Sequence, residues 1–224
     1  MIQSTDISLL AEALPFWEKL SSDEKNFLIE NTGAVSYKKN SVIHTAEFEC
    51  LGMLFVTEGS LRVYMLSEQG REITLYRLSA GELCILSAAC VLQMITFDVC
   101  IDANSDCRVL QVGSAPFSQL MQQNLYVENF AYKLATERFS DVMWAMQQIL
   151  FLSFDQRLAT FLLEESAALG SDTLTLTHEE AARLLGSARE VVSRMLKYFS
   201  SEGWIQLSRG KITITDRKKL EALL

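Results

Sequence analysis

The sequence predicts an α+β chain: an N-terminal antiparallel jelly-roll β-barrel, a long dimerisation helix and a C-terminal winged helix-turn-helix. Three observations carry this. Residues 30–112 consist of short β-branched and aromatic segments punctuated by glycine, with no sustained 3.6-residue period. Residues 127–150 place apolar side chains at spacings of three and four. Residues 176–197 read as two short helices around a tight turn, and two alternating segments around a glycine follow them. The domain division is then a sensor barrel over residues 1–115, a helical dimerisation segment over 116–151 and the winged domain over 152–224.

Composition bounds the classes open to such a chain. Its 224 residues, 49% of them hydrophobic, suffice for two modest domains with a core in each. The longest weakly polar run, residues 83–95, is too short to cross a bilayer. Met1-Ile2-Gln3-Ser4-Thr5-Asp6 lacks the basic start of a signal peptide, so the expected location is the cytoplasm. All five cysteines (Cys50, Cys84, Cys90, Cys100 and Cys107) fall in the first half, and an odd number without an export signal argues against a disulfide framework. The formal net charge of −8 is unevenly spread: residues 1–151 hold 10 Lys and Arg against 18 Asp and Glu, residues 177–219 hold 9 against 5. The acidity lies upstream, and the helix pair is locally basic.

Residues 7–17 and 22–29 are expected to form short helices on the barrel, with Ser22 and Lys25 bracketing the second one's first turn. Gly59, Gly70 and Gly81 recur at intervals of 11 and separate residues 51–58, 61–66 and 72–78 as consecutive strands. On the long helix Val127, Phe130, Leu134, Val142, Ala145 and Ile149 form a seam for a second copy of the chain. Tyr132, Phe139, Met143, Trp144 and Met146 add apolar surface on other sides, as a helix touching both a partner and a barrel needs. Residues 151–154 then form a hinge, and 155–169 the first helix of the winged domain.

Thr177 followed by Glu180 is a capping-box start, Ala181, Leu184 and Leu185 give a short apolar stripe, and Gly186 can end the helix. Ser187 with Glu190 repeats the box, and Val191, Val192, Met195 and Leu196 bury one face of a second helix that Gly203 closes. Residues 204–207 and 211–214 form a hairpin around Ser208-Arg209-Gly210, and Asp216 caps a last helix with Arg217, Lys218 and Lys219. A charged helix face is ordinarily only solvated, and Glu190 could be only a cap; the basic hairpin tips the balance toward DNA. Arg189, Glu190, Ser193, Arg194 and Lys197 share the polar face of the second helix, which can lie in a major groove with its N-terminal side chains at base edges.

From about residue 14 to the end the chain resembles the Crp/Fnr family of transcription regulators. The residues that carry the resemblance are Leu54-Phe55-Val56-Thr57-Glu58-Gly59-Ser60-Leu61-Arg62-Val63-Tyr64, Gly70-Arg71-Glu72-Ile73-Thr74-Leu75, Gly81-Glu82, Arg157-Leu158-Ala159-Thr160-Phe161-Leu162 and the helix pair. The resemblance implies a homodimer with a cyclic-nucleotide-binding-like sensor, binding double-stranded DNA at a two-fold symmetric promoter site, with RNA polymerase and a small effector as further partners. It places Glu190, Ser193 and Arg194 on positions that members resembling the fumarate–nitrate regulator use to read bases, and Arg189 on a further base-reading position. Arginine binds guanine in bidentate fashion and glutamate accepts from cytosine N4, which supports these roles independently. The expected half-site contains TGA, as TTGA because of Ser193. Thr177, Lys197, Arg209 and Lys211 are expected on phosphates.

The sensor departs from the cyclic-nucleotide members. Gly81 and Glu82 are kept, but the phosphate-neutralising Arg-Ser or Arg-Thr pair is not, and no Arg or Lys lies between Arg77 and Arg108. A buried phosphate without a cation is costly, so cyclic AMP is not expected. The candidate effector pocket or switch comprises Gly81, Glu82, Cys84, Ser87 and Cys90, which suits a small uncharged ligand, a thiol signal through Cys84 or Cys90, or no ligand at all. No cysteine precedes Cys50 to build an N-terminal iron–sulfur site, and haem would rest on His44. With His44 and His178 the two histidines, neither a cupin-type metal site nor a convincing hydrolytic pair can be assembled, so an enzyme is not expected. The alternative function is a ligand- or redox-sensing interaction module with a degenerate DNA-binding domain.

Overall fold

A computed structural model describes residues 2–45, 50–88 and 98–224. The chain divides into two compact units, Met1–Met65 with Leu75–Val142, and Leu66–Thr74 with Met143–Leu224. The first is built on two antiparallel four-stranded sheets. One has the order β1-β8-β3-β6, from β1 (Thr32–Tyr37), β3 (Met53–Glu58), β6 (Leu83–Cys84) and β8 (Cys107–Val112). The other has the order β2-β7-β4-β5, from β2 (Val42–His44), β4 (Ser60–Leu66), β5 (Glu72–Ser79) and β7 (Cys100–Ala103). This is the expected jelly-roll arrangement, with strands at all three predicted segments. Gly59 is required between β3 and β4: its φ is +75°, and a Cβ there would stand 2.2 Å from the Asp106 carbonyl oxygen.

The barrel core is apolar, with Leu54, Val56, Leu61, Val63, Ile101 and Val109 buried, but it encloses one ion pair. Arg62 of β4 is fully buried, its Nη2 donates to Asp102 of β7 at 2.8 Å and its Nε reaches both carboxylate oxygens at 3.2 Å. The guanidinium also stacks 4.0 Å from the Tyr64 ring centre.

The first helix, α1 (Ser4–Ala13), starts and ends earlier than predicted, because Pro15 pushes Leu14 out of the helical region. In α2 (Ser22–Glu30) the capping box uses Ser21 and Glu24 rather than Ser22 and Lys25; only a carboxylate can accept the Ser21 N–H, which it does at 2.7 Å. Asp6 of α1 is buried and accepts from Arg108 of β8 at 2.8 and 2.9 Å. The Arg108 hydrogen bond holds the Asp6 carboxyl below its ordinary 3.8. A depressed carboxyl pKa adds stability above the unfolded value and loses it as pH falls through the folded one. Asp6→Asn is therefore expected to cost about 1.5–3 kcal/mol at neutral pH. In urea titrations the deficit should shrink as pH falls through the folded-state pKa, where wild type also loses the charge.

Cys50 is disulfide-bonded, while Cys84, Cys100 and Cys107 are free and buried. Cysteine counting argued against a disulfide framework, and Cys50 is nevertheless paired, with a partner outside the described residues. The fold brings Cys50 Sγ within 3.4 Å of the Ser87 carbonyl oxygen, a proximity across 37 positions that cysteine counting cannot see.

Helix α3 (Ser114–Gln123) leads into α4 (Leu125–Phe151), 27 residues long. Ser153 and Gln156 form a capping box on α5 (Phe154–Leu169), so 151–154 is a helix break as expected. The winged domain continues with β9 (Thr173–Leu174), α6 (His178–Leu185), α7 (Arg189–Ser201), β10 (Ile205–Ser208), β11 (Lys211–Ile214) and α8 (Arg217–Glu221). Strand β9 adds to β11 and was not foreseen, since two residues carry no period. Leu158, Leu162, Leu185, Val192, Leu196 and Phe199 form the centre of this core.

Candidate functional site

The helix pair is held by its ends. Thr177 Oγ1 accepts from Glu180 N–H at 3.1 Å, and Glu180 Oε2 accepts from the Thr177 hydroxyl and N–H, both at 2.9 Å. Both Thr177 donors thereby take part in the cap. At the other end of α6, Gly186 is left-handed with φ +61°, and Ser187 N–H bonds to the Ala182 carbonyl. Ser187 thus belongs to the turn, and α7 starts after Ala188 with no side-chain cap, correcting the predicted second capping box. Glu190 is consequently an exposed first-turn residue rather than a cap.

Carbonyls at the end of α6 are met by donors from the same compact unit. Arg157 donates to Leu185, Thr74 Oγ1 to Arg183 at 3.2 Å and Arg71 to Gly186 at 3.4 Å. Two of these donors are cations, as the negative end of a helix favours.

Arg189, Glu190, Arg194 and Lys197 are exposed on α7, with Val192, Leu196 and Phe199 buried behind them. Ser193 is half-buried between them, its Oγ 3.2 Å from Nδ1 of His178. Arg189 Nε lies 3.7 Å from a Glu179 carboxylate oxygen, an exposed pair of little energetic weight. The hairpin turn places Arg209 and Lys211 at a cleft of about 300 Å³ whose walls include His178, Glu179 and Arg189. Base-reading and phosphate candidates from three elements are thus brought to one face. His178 also lines this cleft, which sequence reasoning missed; the capping-box position of its neighbour Thr177 was the available signal.

On α4 the expected seam divides. Val127 and Leu134 are buried against their own chain, as is Ala145, while Phe130, Val142 and Ile149 are half-buried. The exposed apolar stripe is instead Tyr132, Phe139, Met143, Met146 and Leu150, at steps of seven, four, three and four. The predicted residues mark mainly the side turned to the chain's own core, because a helix with apolar residues on two sides gives two candidate seams from one period.

The sensor residues have mostly structural partners. Glu82 accepts from Ser79 N–H at 2.7 Å, and the buried Ser87 hydroxyl donates to the Gly52 carbonyl at 2.6 Å. Gly81 has φ +94° in the turn before β6. Cys84 is fully enclosed, and burial pushes its thiol up. Cys90 lies outside the described residues. Two side chains not foreseen sit beside this group. Arg138 of α4 pairs with Asp141 at 2.8 Å, lies 3.9 Å from Glu82 and stands over the Tyr76 ring at 5.3 Å. The Tyr76 hydroxyl and Arg138 Nε are both buried without a hydrogen bond, the hydroxyl having the Cys84 thiol as a neighbour. A cation beside this group thus comes from α4, with the Asp141 and Glu82 carboxylates next to it. Among the described residues no group of three His, Cys, Asp or Glu side chains could hold a metal ion, and no helix is long and apolar enough to cross a membrane.

Comparison with known proteins agrees with this architecture. Residues 34–124 match the cyclic nucleotide-binding domain and residues 156–223 the Crp-like helix-turn-helix domain. A solved Crp/Fnr-family protein from Eubacterium rectale is 44% identical, with a TM-score of 0.89 over 95% of this chain and 98% of that one. The cAMP-activated global transcriptional regulator Vfr of Pseudomonas aeruginosa is 24% identical over 80% of this chain and 86% of its own. Transcriptional regulator SdrP of Thermus thermophilus is 26% identical over 75% and 81%. With its jelly-roll sensor, long helix and winged helix-turn-helix, the chain belongs to the Crp/Fnr family of DNA-binding transcription regulators.

Proposed function

We propose that this regulator binds, as a homodimer, a palindromic promoter site with TGA-containing half-sites, of TTGA type, whose centres lie about two helical turns apart. The observation that carries the reading is the row Arg189, Glu190 and Arg194, exposed on α7 with the half-buried Ser193 between them, backed by a well-packed helix face. Lys197, Arg209 and Lys211 are assigned to phosphates, so affinity should fall with salt. The dimer forms through the exposed heptad stripe of α4, and RNA polymerase is the downstream partner at promoters. The protein acts in the cytoplasm and catalyses no reaction. The degenerate-module alternative is disfavoured because Glu190 is released from capping and the turn is fully supported.

The sensor answers to a signal other than cyclic AMP. Supporting this, the Arg138 guanidinium already faces Asp141 and Glu82, so its charge is offset before any phosphate arrives. No resident iron–sulfur cluster or haem is proposed. A redox signal is the second reading, favoured by the Cys50 disulfide.

The deciding experiment is selection from a random duplex pool with purified protein, with and without reductant at fixed salt. Enrichment of a palindrome with TGA half-sites is the expected result, and a yield that changes with reductant would make the disulfide the signal. Absence of any enriched sequence in both conditions, and with cell-extract small molecules added, would overturn the base-reading assignment. Phe139→Glu with Met146→Glu should convert the dimer to monomer in sedimentation analysis. Without the second half-site, palindrome binding should weaken by roughly tenfold or more. A variant that stays dimeric would move the interface off this stripe.

A further inference from the structure

Ser193 stands apart among the residues assigned to base edges, because its hydroxyl is paired inside the protein. Its partner is the His178 ring at 3.2 Å, on the neighbouring helix and at the edge of the cleft that Arg189, Arg209 and Lys211 also line. A serine hydroxyl carries one proton and can face a base either as donor or as acceptor. Whichever it offers is decided by what it does with Nδ1.

We propose that His178 is a positioning residue for sequence reading, setting through Nδ1 the direction of the Ser193 hydroxyl proton and hence whether Ser193 offers the base an acceptor or a donor. The assignment rests on α7 being the recognition helix. With a neutral ring whose Nδ1 carries the lone pair, the Ser193 hydroxyl donates inward and turns oxygen lone pairs toward the groove, matching the amino groups of adenine N6 or cytosine N4. With a protonated ring, Nδ1–H donates to Ser193, and the hydroxyl proton turns outward toward thymine O4 or guanine O6. No side chain need move between the two states.

The charged groups around the ring come from three elements: Glu179 on α6, Arg189 and Lys197 on α7, and Arg209 and Lys211 at the hairpin. Burial, then Arg189 and Lys197, hold the His178 pKa below its ordinary value, which favours the neutral ring in the free protein, and the tautomer with the lone pair on Nδ1 gives the acceptor form. DNA phosphates act in the opposite direction, favouring the protonated ring in the complex.

The test measures binding of the full-length protein to its selected palindrome and to four versions varied at the base pair nearest Ser193, plus a scrambled duplex. At pH 7.5, His178→Ala should shrink discrimination at that base pair about three- to tenfold, the scale of one neutral hydrogen bond. Affinity for scrambled DNA should stay within about twofold. In a Ser193→Ala background, His178→Ala should change discrimination no further, as residues acting through one another are not additive. His178→Asn, whose amide oxygen can accept near the Nδ1 position, should restore the pH 7.5 preference and lose the shift that wild type shows at pH 5.5. Additive effects, or equal losses on specific and scrambled duplexes, would make His178 a plain phosphate contact and overturn the proposal. A wild-type protein without sequence preference would instead overturn the recognition-helix reading itself.

Discussion

Asp102→Ala is expected to lower the stability of the barrel by about 3–5 kcal/mol, the largest effect of any single polar substitution considered. The replaced carboxylate takes hydrogen bonds from Nε and Nη2 of Arg62, a fully buried side chain, so its loss strips charge-assisted hydrogen bonds from a guanidinium held away from water. Stacking on Tyr64 at 4.0 Å offsets only part of this, since a cation–π contact is worth about 2 kcal/mol when desolvated. Removing both charges is a different matter. Arg62→Met with Asp102→Leu should recover most of the loss, because an apolar pair of similar volume avoids the desolvation cost of both ions. Urea unfolding of the single and double variants measures the contrast. A loss below about 1 kcal/mol for Asp102→Ala would mean that water or other groups reach Arg62.

Arg194→Ala should weaken binding to the selected palindrome by about 1–3 kcal/mol per half-site while changing scrambled-duplex affinity little. Arg194 is exposed on the α7 face that also carries Glu190, and its truncation leaves the helix core of Val192, Leu196 and Phe199 untouched. Lys197→Ala provides the internal control. Removing that phosphate-facing charge should reduce affinity evenly across sequences and lower the salt slope by about 1 for each phosphate left unneutralised. Equal loss on both duplexes for Arg194→Ala would move it from base reading to the DNA backbone.

Much of this fold was legible because its signals are local. Capping of α6 by Thr177 and Glu180, the left-handed Gly186, the hairpin around Gly210 and the Asp216 cap of α8 each depend on residues within four positions of one another. The glycine spacing of the barrel strands is local in the same sense. Local chemistry also erred where two local solutions compete. Ser187 could start α7 or finish α6, and the Schellman-type bond to Ala182 took it for the turn. Ser22 lost to Ser21 because the acceptor three residues on is Glu24, not Lys25.

What stayed illegible depends on partners far apart in the chain. Cys50 meets the neighbourhood of Ser87, Arg138 reaches Tyr76 and Glu82, and Arg62 finds Asp102 across 40 positions. No period or cap encodes these pairings. The apolar period of α4 was read correctly, yet the face left exposed was not, because only the packed barrel says which stripe is already covered.

The sequence by itself determined the order of elements, the helix pair and the residues on its polar face, since helix periods, caps and turn glycines act over a few residues. Tertiary structure alone decided that His178 meets Ser193, that Arg138 of α4 reaches Glu82 and Tyr76, and that Arg62 is buried as an ion pair. Those facts depend on which surfaces exclude water together, and that is a property of the assembled chain rather than of any segment within it.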